Sequence, residues 1–209
     1  MNIKFKKYWR KTSLKQKGVG DLFLKHIKEN RPKNFLEIGI FHGVTARNVC
    51  NLLYSLHGEN FQFTGVDPFL NDTNINESEH VPKTKFLNPL KKIYYNYIIR
   101  LDPYSFKSVQ RLLKKFSKNI HIIKGFSNDV LKNIDTTSFD YVFLDGGHKY
   151  ETVKNDLELL TRVIKNNGIV LCDDYDLTYA PGVKRAIDEY VSENKFSLKI
   201  LHSRFAEIK

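Results

Sequence analysis

Cysteine, tryptophan and methionine are all scarce in this 209-residue chain, at 2, 1 and 1. Cys50 and Cys172 stand far apart, with no C-x-x-C or Cys/His spacing around them. A disulfide scaffold and a structural zinc site are therefore not expected. Long apolar runs are missing too, and none approaches the roughly 18 residues of a membrane span. The basic N-terminus lacks the apolar segment and small-residue cleavage site of a signal peptide. The expectation is a cytoplasmic protein with no transmembrane segment. Negative charge is in deficit: 23 Asp and Glu face 34 Lys and Arg, a formal net charge of +11. The excess concentrates in residues 1–33 and 83–118. Such stretches suit a phosphate backbone or an anionic membrane surface. However, the chain is rich in Lys, Asn and Ile together, and solvated lysine faces are ordinary, so charge alone does not establish nucleic-acid binding.

What is present is enough apolar material for one core, with 41% hydrophobic and 13% aromatic residues. Residues 14–30 show helical spacing of Val19, Leu22, Phe23 and Ile27, and Pro32 closes the helix. Short apolar runs then alternate with amphipathic stretches. Strands are predicted at 34–38, 61–66, 120–123, 141–144 and 169–172, and helices at 44–56, 105–116, 128–134, 151–164 and 183–193. A final pair of strands lies near 197–201 and 204–208. Alternation of this kind predicts an α/β, Rossmann-like, doubly wound sheet of seven mostly parallel strands. The last two strands have no helix between them, so one antiparallel strand is expected near the C-terminus. Residues 1–33 are set apart as a basic helical extension and 34–209 as the main domain. One stretch, 70–103, breaks the alternation: it is polar first, then basic and tyrosine-rich. It leaves the C-terminal end of the second strand, where doubly wound sheets bind ligands, and is expected to be a lid or a mobile surface loop.

The first strand runs through Glu37-Ile-Gly39-Ile-Phe-His42-Gly43 directly into a helix. The glycines allow a tight turn and close approach of backbone to ligand, and a helix N-terminus offers free N–H groups. The second strand ends in Gly65-Val-Asp67, an acid placed to accept ribose hydroxyls. A dinucleotide site would need G-x-G-x-x-G around a pyrophosphate. Here the pattern is E-x-G-x-x-x-G, and Glu37 would repel a pyrophosphate but attract a cationic amino-acid portion. This resembles motif I of the class I S-adenosylmethionine-dependent methyltransferases, over nearly the whole chain from residue 34. The resemblance implies S-adenosyl-L-methionine as cofactor, with Glu37, Gly39, Gly43 and Asp67 in its site. It also implies Phe126 and Ser127 after the third strand, beside the adenine. His42 in the glycine loop is expected either at the amino-acid portion or facing solvent.

Asp145 ends the fourth strand and Asp173-Asp174 end the fifth. Neighbouring strands lie about 4.8 Å apart, so three carboxylates should converge and repel one another unless protons or a cation intervene. Oxygen-only donors favour a hard divalent ion, Mg²⁺ first. Asp at a strand end also caps the following helix in many proteins. The segments Asp145-Gly-Gly-His-Lys-Tyr150, Gly168-Ile-Val-Leu-Cys-Asp-Asp-Tyr175 and Pro181-Gly-Val-Lys-Arg-Ala-Ile-Asp-Glu-Tyr190 resemble the metal-dependent O-methyltransferases of the macrocin and catechol types. That likeness implies Asp145, Asp173 and Asp174 as metal ligands, with Asp145 also bordering cofactor and reaction centre. It departs at the base. The catechol type has a lysine where this chain has His148, and the macrocin type has an acid where this chain has Gly147. His148, with an ordinary pKa near 6.5, suits removal of a proton from a metal-acidified hydroxyl; it could instead orient an Asp ligand.

The function expected is methyl transfer to a hydroxyl of a glycan or small molecule, with a homodimer left open. A nucleic-acid methyltransferase and a non-catalytic cofactor-binding protein are the alternatives. Against the first, no Asn-Pro-Pro-Tyr-like segment follows the fourth strand.

Overall fold

The computed structural model describes residues 4–70 and 88–209. Residues 71–87, which make up much of the expected lid, lie outside the described residues. Strands β1 (Asn34–Ile38), β2 (Gln62–Asp67), β3 (Ile120–Lys124), β4 (Tyr141–Leu144), β5 (Ile169–Cys172), β6 (Leu198–Leu201) and β7 (Phe205–Ile208) form one sheet in the order β3-β2-β1-β4-β5-β7-β6. Strand β7 runs antiparallel to both neighbours, β5 and β6, and the other pairings are parallel. The order reverses direction between β1 and β4, so the ends of those two strands open the crevice where such sheets bind ligands.

The helices around the sheet are α1 (Val19–Asn30), α2 (Val44–His57), α3 (Pro89–Ile93), α4 (Phe106–Leu113), α5 (Ser127–Asn133), α6 (Tyr150–Leu159), α7 (Thr161–Lys165) and α8 (Pro181–Asn194). They cover two faces, each with its own apolar layer. One layer joins Phe23, Phe35, Phe63, Val49 and Phe143; the other joins Leu36, Val142, Leu157, Val170 and Ile187. The central strands are buried on both sides, which is why they read as continuous apolar runs. No helix among the described residues is long and apolar enough to cross a membrane. Cys50 and Cys172 are buried free thiols.

Two elements depart from the sequence expectation. The leading helix starts at Val19 rather than Leu14, because Gly18 takes a left-handed conformation (φ 84°) at its N-cap. Leu14 turns into the core instead. The single helix expected over 151–164 is broken at Leu160 into α6 and α7. There the Thr161 hydroxyl bonds the Leu157 carbonyl (3.3 Å) and the Tyr190 hydroxyl (2.8 Å), offering the backbone a local alternative to the regular ladder.

Helix α1 lies within the basic segment 1–33, yet Phe23, Leu24 and Ile27 belong to the same core as β1 and β4. The Phe23 ring sits 4.4 Å from that of Phe143 and 6.0 Å from that of Phe205. Phe23→Ala should therefore cost about 3–5 kcal/mol of unfolding free energy in urea denaturation. A loss below about 1 kcal/mol would mean that α1 is not part of the cooperative unit.

Candidate active site

Every acidic side chain expected at the site lies on the C-terminal edge of the sheet, at the ends of β1, β2, β4 and β5. Strand β1 ends in Glu37 and Ile38 and passes into the glycine loop, where Gly39 adopts φ 94°. A Cβ on Gly39 would stand 2.0 Å from the Asp145 carbonyl oxygen. Only glycine allows the β1 loop to pass this close to the end of β4. Gly43 (φ 72°) is the N-cap of α2, as the spacing predicted.

Glu37 is fully buried, and neither carboxylate oxygen has a hydrogen-bond partner. Burial, with the nearby Asp67 charge adding to it, pushes its pKa well above the usual carboxylate range. An orphaned buried acid is costly. A cationic group arriving beside it would remove that cost, so the residue fits the amino-acid portion of S-adenosylmethionine.

Asp67 is better satisfied. Its Oδ2 accepts from the Phe41 N–H (2.8 Å), and its Oδ1 accepts from the Phe69 N–H (2.7 Å) and the Tyr104 hydroxyl (3.0 Å). Burial raises its pKa, and these donors work against the rise. The Tyr104 hydroxyl thus occupies one of the acceptor oxygens expected to face a ribose.

His42 does not face solvent. It is buried, stacks on Phe41 (centroids 3.9 Å apart) and accepts from the Lys11 N–H at Nδ1 (3.2 Å). Arg10 clamps the same loop, donating to the carbonyls of His42 (3.0 Å) and Pro103 (3.1 Å) and to Ser108 on α4. Burial first, then the charges of Arg10 and Lys11, lower the His42 pKa to about 3. Beyond β3, Phe126 is half-buried at the N-cap of α5, and the Ser127 hydroxyl donates to Asp156 (2.9 Å) on α6.

At the other half of the edge, Asp145, Asp173 and Asp174 present oxygens that all lie within 4.8 Å of one another. A small cavity beside them is lined by Gly147, His148, Val153 and Val183 as well. Asp145 accepts from the Ser13 hydroxyl (2.7 Å). Its pKa is driven well up by burial and by the charges of Asp173 and Asp174. Asp174, in a left-handed conformation (φ 59°), binds His148 Nε2 (2.9 Å) and the Tyr179 hydroxyl (2.8 Å). Burial pushes its pKa up, but His148, Tyr179 and Arg204 outweigh burial and hold it below the usual value. Asp173 pairs bidentately with Arg204, Nε to Oδ1 at 2.5 Å and the terminal nitrogen to Oδ2 at 2.6 Å. Its pKa is raised to about 6 by burial, against the pull of Arg204. The three carboxylates are suitable donors for a hard divalent ion, and Arg204 is a cation already among them.

Local motifs did not point to Ser13, Arg10, Tyr104, Tyr179 or Arg204. The one available signal was that Arg204 opens the last predicted strand, which the structure pairs with β5.

A doubly wound, mostly parallel sheet with a glycine loop and acids at its C-terminal edge is a Rossmann-like α/β fold. The chain matches the family model described as a methyltransferase domain over residues 36–175. It belongs to that family, and these residues form a class I S-adenosylmethionine-dependent methyltransferase domain. Among curated proteins, an uncharacterised protein of Acanthamoeba polyphaga mimivirus is 30% identical over 108 residues, covering 46% of this chain. The chain spans about half (49%) of that relative's length. Three solved structures share the fold. A methyltransferase of Podospora anserina bound to S-adenosylhomocysteine has a TM-score of 0.57 at 17% identity, covering 91% of this chain and 76% of the other. For the O-methyltransferase NovP the values are 0.62, 18%, 91% and 80%. For the TDP-rhamnose 3'-O-methyltransferase CalS11 of calicheamicin biosynthesis they are 0.59, 17%, 94% and 81%.

The depressed His42 pKa has a definite sign. Between about pH 6.5 and 3 the unfolded chain takes up a proton that the folded chain refuses, so stability falls as the pH drops through that window. From pH 7 to pH 5 the contribution is about 2 kcal/mol. Urea denaturation should show wild type losing about that much more than His42→Asn over this range; parallel losses in both would place the imidazole in contact with water.

Proposed function

We propose that the chain is an S-adenosylmethionine-dependent O-methyltransferase that acts on a hydroxyl of a sugar or small metabolite, with a divalent cation, Mg²⁺ first, held by Asp145, Asp173 and Asp174. The observation that carries this reading is the convergence of three carboxylates at the ends of β4 and β5, next to the end of β1 where Glu37 awaits a cation. A divalent ion bound there supplies Lewis acidity to an acceptor hydroxyl and lowers its pKa.

The chain's own residues do the rest. Glu37 and Asp67 would fix the amino-acid portion and the ribose of the cofactor, and the Gly39 turn brings that loop against Asp145. His148 lies at the mouth of the acidic cluster, with its side chain 52% exposed. A carboxylate partner at Nε2 requires the proton to sit there, which makes Nδ1 the basic nitrogen of the neutral ring. With the cofactor's sulfonium as methyl donor and its neutral thioether as leaving group, His148 would take the proton of the acceptor hydroxyl and Asp174 would steady the imidazolium. Most of the rate would come from holding the two reactants in line and from stabilising the developing oxyanion.

A sugar or aliphatic hydroxyl is favoured over a flat catechol. The aromatic neighbour of His148, Tyr179, stands edge-on at 74° with centroids 5.8 Å apart, and no stacked pair of rings frames the cluster among the described residues. The sugar named for CalS11 agrees with this preference.

Two predictions follow from these assignments. Asp67→Asn should weaken S-adenosylmethionine binding by about 1.5–3 kcal/mol in calorimetry; unchanged affinity would remove Asp67 from the cofactor site. Chelation with EDTA should abolish methyl transfer and Mg²⁺ or Mn²⁺ should restore it, while His148→Ala should retain metal binding and lose roughly 10²–10⁴ in rate. Full activity in EDTA would assign the carboxylates to fold or acceptor instead.

A further inference from the structure

Arg204 comes to the acidic cluster by the antiparallel pairing of β7 with β5. The register Cys172↔Ala206, continued two residues outward, sets Arg204 opposite Asp174, and the Tyr175 N–H donates to the Arg204 carbonyl (2.9 Å). The backbone therefore fixes where the guanidinium enters. Its side chain is 6% exposed and lies near the Phe205 ring, 5.9 Å from the centroid. The planar fork spans both oxygens of Asp173, and one terminal nitrogen also reaches Asp174 Oδ1 at 3.1 Å. Paired geometry of this kind is the strongest form of a charge-assisted hydrogen bond, and a guanidinium keeps its charge at any working pH.

One fixed positive charge thus stands among three carboxylates and engages both oxygens of Asp173, an expected metal ligand. A divalent ion entering the cluster would meet repulsion from Arg204 and would have to take Asp173 from it. We infer that Arg204 is the resident cation of this cluster: it neutralises Asp173, competes with the divalent ion for it, and so sets how weakly the site binds metal. This inference rests on the metal reading above, but its test reads metal affinity and needs neither acceptor nor turnover. Arg204 is accordingly a positioning residue. It holds Asp173 and leaves Asp145 and Asp174 turned to their hydroxyl and imidazole partners.

The experiment is Mn²⁺ binding, followed by electron paramagnetic resonance of the free ion, in wild type, Arg204→Met and Arg204→Lys, with circular dichroism to confirm folding. Arg204→Met should bind Mn²⁺ at least tenfold more tightly than wild type. Arg204→Lys, which keeps the charge but cannot span both oxygens, should fall between them, and it carries the test if the methionine variant does not fold. Binding by Arg204→Met with none by wild type would uphold the competition while overturning the metal reading for the native chain. Equal affinities would overturn the competition and leave the metal reading standing. Weaker binding in Arg204→Met would overturn it in favour of an arginine that organises the cluster for metal. No binding in any of the proteins would overturn both.

Discussion

Burial of negative charge is the constraint on which this site depends. Glu37, Asp67, Asp145, Asp173 and Asp174 stand at the ends of four strands, β1, β2, β4 and β5, and all except the half-buried Asp145 are almost removed from water. Carboxylates in that setting must be hydrogen-bonded, paired or protonated. The fold meets each one differently. Asp67 is ringed by two backbone N–H groups and a tyrosine hydroxyl. Asp173 has a guanidinium, Asp174 an imidazole and a second tyrosine, and Asp145 a serine hydroxyl. Glu37 alone of the five has no hydrogen-bond partner in this structure. Its missing partner is what the proposed cationic cofactor would supply.

The two halves of the edge are kept together by backbone contact. Gly39 lies against the carbonyl of Asp145, and Asp145 in turn donates its N–H to the Ile38 carbonyl (2.9 Å). The glycine loop and the first residue of the acidic cluster thus share one junction at the switch point of the sheet. The N-terminal segment crosses the same edge, where Arg10 clamps the glycine loop and Ser13 reaches Asp145. The transfer chemistry proposed here needs that proximity, because a methyl group moves over only one bond length and misplacement is costly.

How much of this could be seen in the sequence depends on how local each signal is. Strands 34–38, 141–144 and 169–172 coincide with β1, β4 and β5, because a buried parallel strand is a short apolar run with turn residues at both ends. The glycine turn and the acids at strand ends were visible for the same reason, each being fixed by its immediate neighbours. Partners from distant segments were not. Arg204 lies 31 residues from Asp173, Ser13 lies 132 from Asp145, and Tyr104 lies 37 from Asp67. Sheet register, the course of the N-terminal segment and the turn before α4 bring them together. The break at Leu160 escaped because the apolar spacing continues through it, and a threonine hydroxyl decides the geometry. His42 was open to solvent in one sequence reading, since nothing local announces that residues 10 and 11 will cover it.

The central claim is that Glu37 is an acid waiting for the cation of the cofactor. Isothermal titration of S-adenosylhomocysteine into wild type and Glu37→Gln, each in two buffers of different ionisation enthalpy, tests it most directly. The account predicts that wild type binds with release of a proton, as the incoming ammonium pulls the raised Glu37 pKa down. It also predicts that Glu37→Gln binds at least tenfold more weakly and releases none. Equal affinity and equal proton release in the two proteins would contradict it.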